Sequence, residues 1–110
     1  MNKLFAIVIF VVSSNFAQAA GTITGKIHSI QARESGYIEI TFEETHSNPD
    51  ECGQAKKVVI PPTHVAKDEI VSFSLAAMAQ GKTSAYYVLG CYEQYNTSYP
   101  IALTGAIKNN

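Results

Sequence analysis

The stretch Lys67–Gln80, KDEIVSFSLAAMAQ, is where this chain changes hydrophobic period, and the change limits what the whole can fold into. On either side of it the apolar residues come in short alternating runs. Within it there is no Gly or Pro, and Ala and Leu are frequent. Asp68 and Glu69 suit the positive end of a helix, and Gly81 suits the position just past its last turn. One helix set between two groups of strands is predicted.

The faces of that helix carry a second expectation. At 100° per residue, Ile70, Phe73 and Ala77 share one face, while Val71, Leu75 and Met78 occupy much of the other side. Ser72, Ser74 and Gln80 form no broad polar stripe. A helix apolar nearly all round is covered on more than one side. A thin domain does not cover both, so a neighbouring subunit is expected against Ser72, Ala76 and Ala79.

Upstream, Gly21–Ile30 (GTITGKIHSI) alternates, with Ile23, Gly25 and Ile27 on one face. Ile30 falls out of that phase, which predicts a bulge or bend. Gln31–Gly36 is polar and ends in a Ser-Gly turn signal. Tyr37–Glu43 (YIEITFE) is the cleanest strand: Ile38, Ile40 and Phe42 are predicted inward, and Tyr37, Glu39, Thr41 and Glu43 outward. Residues Glu44–Ala55 form a loop pinned at Cys52. Lys56–Ile60 is a third strand, stopped by Pro61-Pro62, because proline cannot donate to a ladder. Downstream of the helix, Thr83–Leu89 and Ile101–Ile107 are strands, the latter with Ile101, Leu103, Gly105 and Ile107 on one side. The class is therefore mainly β with one helix, in the order β-β-β-α-β-β. That order matches a five-stranded OB-fold barrel with the helix plugging one end; an open α+β sandwich is the competing arrangement.

The first residues bound the compartment. Lys3 precedes an apolar run from Leu4 to Val12, and Ala17-Gln18-Ala19 has the small-x-small form of a cleavage site. Residues 1–19 read as a secretory signal peptide, and 20–110 as a single domain, secreted or periplasmic. The apolar run is too short to span a bilayer, which takes about 20 residues, so no membrane span is expected. Without Lys3 the eight Lys and Arg become seven against nine acids, a charge of −2. A nucleic-acid partner, which requires a basic face, is not expected. A domain of this size buries about 60–65% of its unfolded surface and benefits from a staple. Cys52 and Cys91 in an exported chain are predicted to pair.

The chemistry-bearing residues point to binding. His28, His46 and His64 sit in no catalytic or metal-ligand spacing, and no nucleophile elbow, phosphate loop or HExxH occurs. No enzyme activity, metal or cofactor is expected. Five of the six tyrosines fall in Ser84–Pro100, SAYYVLGCYEQYNTSYP. Its second half reads as a loop held out by Cys91. Tyrosine offers a flat apolar face and a hydroxyl at low entropic cost, the mixture a sugar presents in complement. The candidate ligand-binding residues are Tyr92, Glu93, Tyr95, Asn96, Thr97 and Tyr99, joined by the outward Tyr37. Asn96-Thr97-Ser98 also has the form of a glycosylation sequon.

A resemblance extends this reading over most of Gly21–Ile107. The GTITGKI first strand, the YIEITF second strand, the unit SLAAMAQGK and the run YYVLGC followed by YP resemble short exported bacterial proteins similar to the B subunit of subtilase cytotoxin. The resemblance implies an OB-fold, a ring of five subunits that binds cell-surface glycans, and a toxic A-type partner chain. The toxin B subunits extend beyond both ends of the barrel, so none of their sugar contacts is carried onto a residue here. The expected function is a secreted, non-catalytic glycan-binding protein. The alternative is a small monomeric exported inhibitor or interaction module with no toxin partner.

Overall fold

A computed structural model describes residues 19–108 of the chain. The first 18 residues of the expected leader lie outside the described residues. The order is β1 (Gly21–Gly25), β2 (Ile27–Ala32), β3 (Ile38–Phe42), β4 (Lys57–Ile60), α1 (Lys67–Gln80), β5 (Ser84–Gln94) and β6 (Thr97–Ile107). The protein is mainly β with one helix. Its strands form a six-stranded mixed sheet in the order β1-β5-β6-β4-β3-β2, not closed into a barrel.

The sixth strand arises because the first predicted strand divides. β1 pairs with β5 and β2 pairs with β3, so the two ends of one alternating run serve opposite ends of the sheet, with Lys26 alone between them. The predicted irregularity is present as a register shift between Ile27 and Ser29. The loop after β3 lies along β1. Lys26 O accepts from Glu43 N at 2.9 Å, and Thr22 O accepts from Ser47 Oγ at 3.3 Å.

The helix lies where its sequence places it, and Gly81 ends it in the left-handed conformation (φ 65°), its N–H directed to the carbonyls of Ala77 and Met78. Its rotation differs from the prediction. Ile70, Ser74 and Ala77 face the sheet, and Phe73, expected beside them, is 46% exposed. A hydrogen bond explains the turn: Ser74 Oγ donates to Ile70 O at 2.8 Å and accepts from the Tyr86 hydroxyl at 2.6 Å. The hydroxyl hydrogen of Ser74 is used inside the helix, so Tyr86 is the donor. Gly105 allows the close seat, because a Cβ there would come within 2.8 Å of Ile70 Cγ2 and 3.3 Å of the Tyr86 ring. Ser72 and Ala79 are exposed and Ala76 half-buried, together with exposed Leu75 and Met78.

The main core gathers Ile23, Ile40, Phe42, Val58, Ile60 and Tyr86 from four strands, with Ile70 from the helix. A second cluster of Tyr37, Val59 and Tyr99, flanked by Tyr92 and Ile101, lies apart from it. Leu103, on the side of the strand predicted to carry Ile101, Gly105 and Ile107, is 38% exposed. Register shifts in the β5–β6 ladder put Val88 opposite Ala102, and Ala102 fills the core position instead.

The second cluster corrects the reading of β3. Tyr37 and Glu39 were both expected to face water, yet they are 0% and 2% exposed. β6 runs parallel to β4, with Val59 opposite Ile101. The tyrosines of β5 and β6 thereby cover the side of β3 that alternation alone leaves open. Glu39 is held there by Lys57 Nζ at 2.7 Å.

Candidate functional site

The segment Tyr92–Tyr99, expected as a polar loop, is the end of a hairpin. β5 continues to Gln94 and β6 starts at Thr97, which pairs with it, leaving a two-residue turn at Tyr95-Asn96. Both turn residues have positive φ, 54° and 62°, the type I′ pattern whose twist matches paired strands. Asn tolerates that conformation; a tyrosine there is unusual and strained.

The hairpin sorts the candidate residues by alternation. Tyr99 is 5% exposed and Tyr92 half-buried, and both rings pack on Tyr37 with centroids 6.3 and 5.1 Å away. These three tyrosines are core. Thr97 is occupied from the side: its hydroxyl accepts from Gln54 Nε2 at 3.2 Å. Beside it, Ser98 Oγ accepts from Gly53 N at 2.8 Å. The approach requires glycine, since a Cβ on Gly53 would lie 2.5 Å from Thr97 Oγ1. Glu93, Tyr95 and Asn96 remain exposed at the tip.

The segment docking on Thr97 and Ser98 is the one that carries the disulfide. Cys52 and Cys91 are bonded, as predicted, with Cα atoms 5.6 Å apart. Asn48 caps this loop in both directions, donating to Cys52 O at 2.7 Å and accepting from Cys52 N at 3.0 Å. Asp50 Oδ2 accepts from Gly90 N at 2.6 Å, and Oδ1 accepts from Ala19 N.

Two residues of the site carry no sequence expectation. Arg33 and Glu34, in the β2–β3 turn, meet the hairpin tip. The Tyr95 hydroxyl donates to Glu34 Oε2 at 2.7 Å, and the Arg33 guanidinium carbon lies 5.3 Å from the Tyr95 ring centroid. The Tyr95 hydroxyl, and then its own backbone N–H, hold the Glu34 carboxyl below its ordinary value. The same hydrogen bond raises the Tyr95 hydroxyl, and contact with Tyr95 raises Arg33. Tyr95 is 50% exposed even so. The site is an aromatic plate with a carboxylate, a guanidinium and the polar groups of Glu93 and Asn96 around it.

His28 is exposed on β2, and the other two histidines are engaged in the fold. The ring of His46 lies between Ser47 O and Lys57 O, the latter at 3.0 Å. His64 Nδ1 accepts from Ala66 N at 3.0 Å, so Nε2 carries the proton it donates to Leu103 O at 3.0 Å. Among the described residues no three of His, Cys, Asp and Glu cluster to hold a metal ion, and no helix is long and apolar enough to cross a membrane.

Comparison with protein-family models, curated proteins and solved structures yields no match. The functional reading therefore rests on the site itself.

Proposed function

We propose that this protein is an exported, non-catalytic binding protein that takes a glycan on the tip of its β5–β6 hairpin. The carrying observation is Tyr95: a bulky aromatic held at positive φ, half exposed, and fixed in orientation by Glu34 and Arg33. Strain retained at an exposed aromatic is a reason to look for function there. The plate suits the C–H face of a sugar ring, and Glu93, Asn96, Glu34 and Arg33 suit its hydroxyls. The disulfide supports an oxidising compartment.

The strand order supports an OB-type reading of the fold. With β1 and β2 counted as one strand bent at Lys26, the order runs first, second, third, fifth, fourth and back to first, with the helix between third and fourth. OB-folds are five-stranded, partly open barrels whose loops and one sheet face bind oligosaccharides.

A neutral and acidic glycan array probed with purified protein tests the proposal. Binding lost in Tyr95→Ala supports it. An array blank for the wild type sinks it and leaves the alternative of a protein-binding module. The exposed Phe73 and Leu75 on α1 favour association of several copies, through which weak single sites reach useful avidity. Light scattering checks this: an oligomer dispersed by Ala76→Glu is expected, whereas a monomeric wild type removes this part.

A further inference from the structure

Behind the Tyr95 plate lies a group of polar atoms that the fold leaves incomplete. The Tyr37 hydroxyl and Arg33 Nε are buried, and neither has a hydrogen-bond partner. The nearest carboxylate oxygen to Arg33 Nε is Glu39 Oε1 at 3.9 Å, too far for a hydrogen bond. Glu39 itself is buried, with its other oxygen on Lys57. Arg33 N donates to Tyr37 O at 2.9 Å across the β2–β3 turn, and Glu39, two residues past Tyr37, is buried on the same side of the chain, so the three groups share one corner. Buried donors left without acceptors are rare and call for an unseen partner, and a polar separation beyond 3.5 Å leaves room for an oxygen to bridge it.

We propose that the Arg33–Tyr37–Glu39 corner is a binding site for one neutral hydroxylic oxygen. The valence of the corner selects that class. Arg33 Nε and the Tyr37 hydroxyl each offer a hydrogen, and the Glu39 carboxylate accepts one. A hydroxyl has two lone pairs and one hydrogen, which completes all three bonds. A carboxylate or phosphate brings no hydrogen for Glu39 and is repelled by it. An ammonium accepts from neither donor and is repelled by Arg33.

Two sources supply such an oxygen. Water fills the corner in the free protein, or an alcohol group of a bound carbohydrate takes its place once Tyr95 moves off Arg33. The second source rests on the glycan reading above; the first does not.

A high-resolution crystal structure of the full purified protein, grown without polyols and again with methyl β-galactopyranoside, tests the site. An oxygen bonded to Arg33, Tyr37 and Glu39 is expected in the first crystal. Its persistence in the second assigns the site to water; its replacement by a sugar hydroxyl assigns it to the ligand. An empty corner in both overturns the proposal. Tyr37→Phe supplies a solution check that keeps the ring and therefore the packing. If the hydroxyl is bound, the variant melts about 5 °C lower. An unchanged or higher melting temperature means that the substitution has relieved an orphan hydroxyl, and also overturns the proposal.

Discussion

Tyr95 and Glu34, 61 residues apart in the chain, are joined by a 2.7 Å hydrogen bond that ties the β5–β6 hairpin to the β2–β3 turn. The bond fixes the angle at which the Tyr95 ring meets solvent, with Arg33 against it. Removing the ring should therefore separate function from stability. Tyr95→Ala should lower affinity for an array-positive glycan about tenfold or more, as loss of an aromatic anchor does. Unfolding by urea should shift by less than about 1 kcal/mol, the scale of an exposed hydrogen bond and an exposed cation–π contact. Unchanged affinity would place the binding surface elsewhere.

The turn makes an opposite pair of expectations at its second residue. Asn96 sits at φ 62° with an exposed side chain. Asn96→Gly should be neutral or raise stability by a few tenths of a kcal/mol, because glycine is the residue this turn favours most at that position. Asn96→Ala should cost about 1 kcal/mol, since alanine pays for positive φ. Thermal melts of the two variants, measured side by side, check the turn type. Equal melting temperatures would argue against it.

The turn also shows what the residues disclosed and what they withheld. The helix was legible because Lys67–Gln80 has a period of its own and a glycine to end it. The cysteine pair was legible from number and compartment. The side of β3 was not. Alternation in YIEITFE divides the residues correctly into two sets but does not say that β6 returns to pair in parallel with β4 and bury both. The hairpin was missed because its turn lacks glycine and its strand residues are mostly polar. Asn96 between the alternating Tyr92 and Tyr99 was the available signal. Arg33 and Glu34 joined the site through a contact that no local pattern encodes.

The disulfide closes a loop between residues 39 apart. The chain-entropy model assigns such a closure about 4 kcal/mol. Cys52→Ser/Cys91→Ser, or reduction by dithiothreitol, should lower unfolding stability by an amount approaching that figure. Gly53 and Gln54, which hold Ser98 and Thr97 from the Cys52 loop, should lose amide protection first in hydrogen exchange. Uniform loss of protection across the domain would count against this order.

Alkaline pH should expose the buried tyrosines in sequence. Burial raises the hydroxyls of Tyr37 and Tyr86, and donation to Glu34 raises Tyr95. A raised value in the folded state means that the fold holds the proton more tightly. The stability linked to it is complete below the unfolded value of about 10 and falls as pH rises from there through the folded values. Phenolate absorbance should show all six tyrosines ionising together in urea. In the native protein a subset should lag, and unfolding should accompany its ionisation. Simultaneous ionisation in the native protein would contradict the burial described for Tyr37 and Tyr86.

The loop that lies along β1 has a consequence for how the molecule keeps to itself. An uncovered strand edge is a template for pairing with another chain. Here Ser47 bonds to β1 at Thr22, Glu43 bonds to Lys26 just past its end, Pro49 lies against Gly21, and the same loop is fastened at Cys52 and Asp50. The bond between the sulfurs thus acts at a distance, as a guard against aggregation. Opening it frees the cover of the first strand, and a protein that is merely loosened by thiols would precipitate through an edge that the oxidised form never presents.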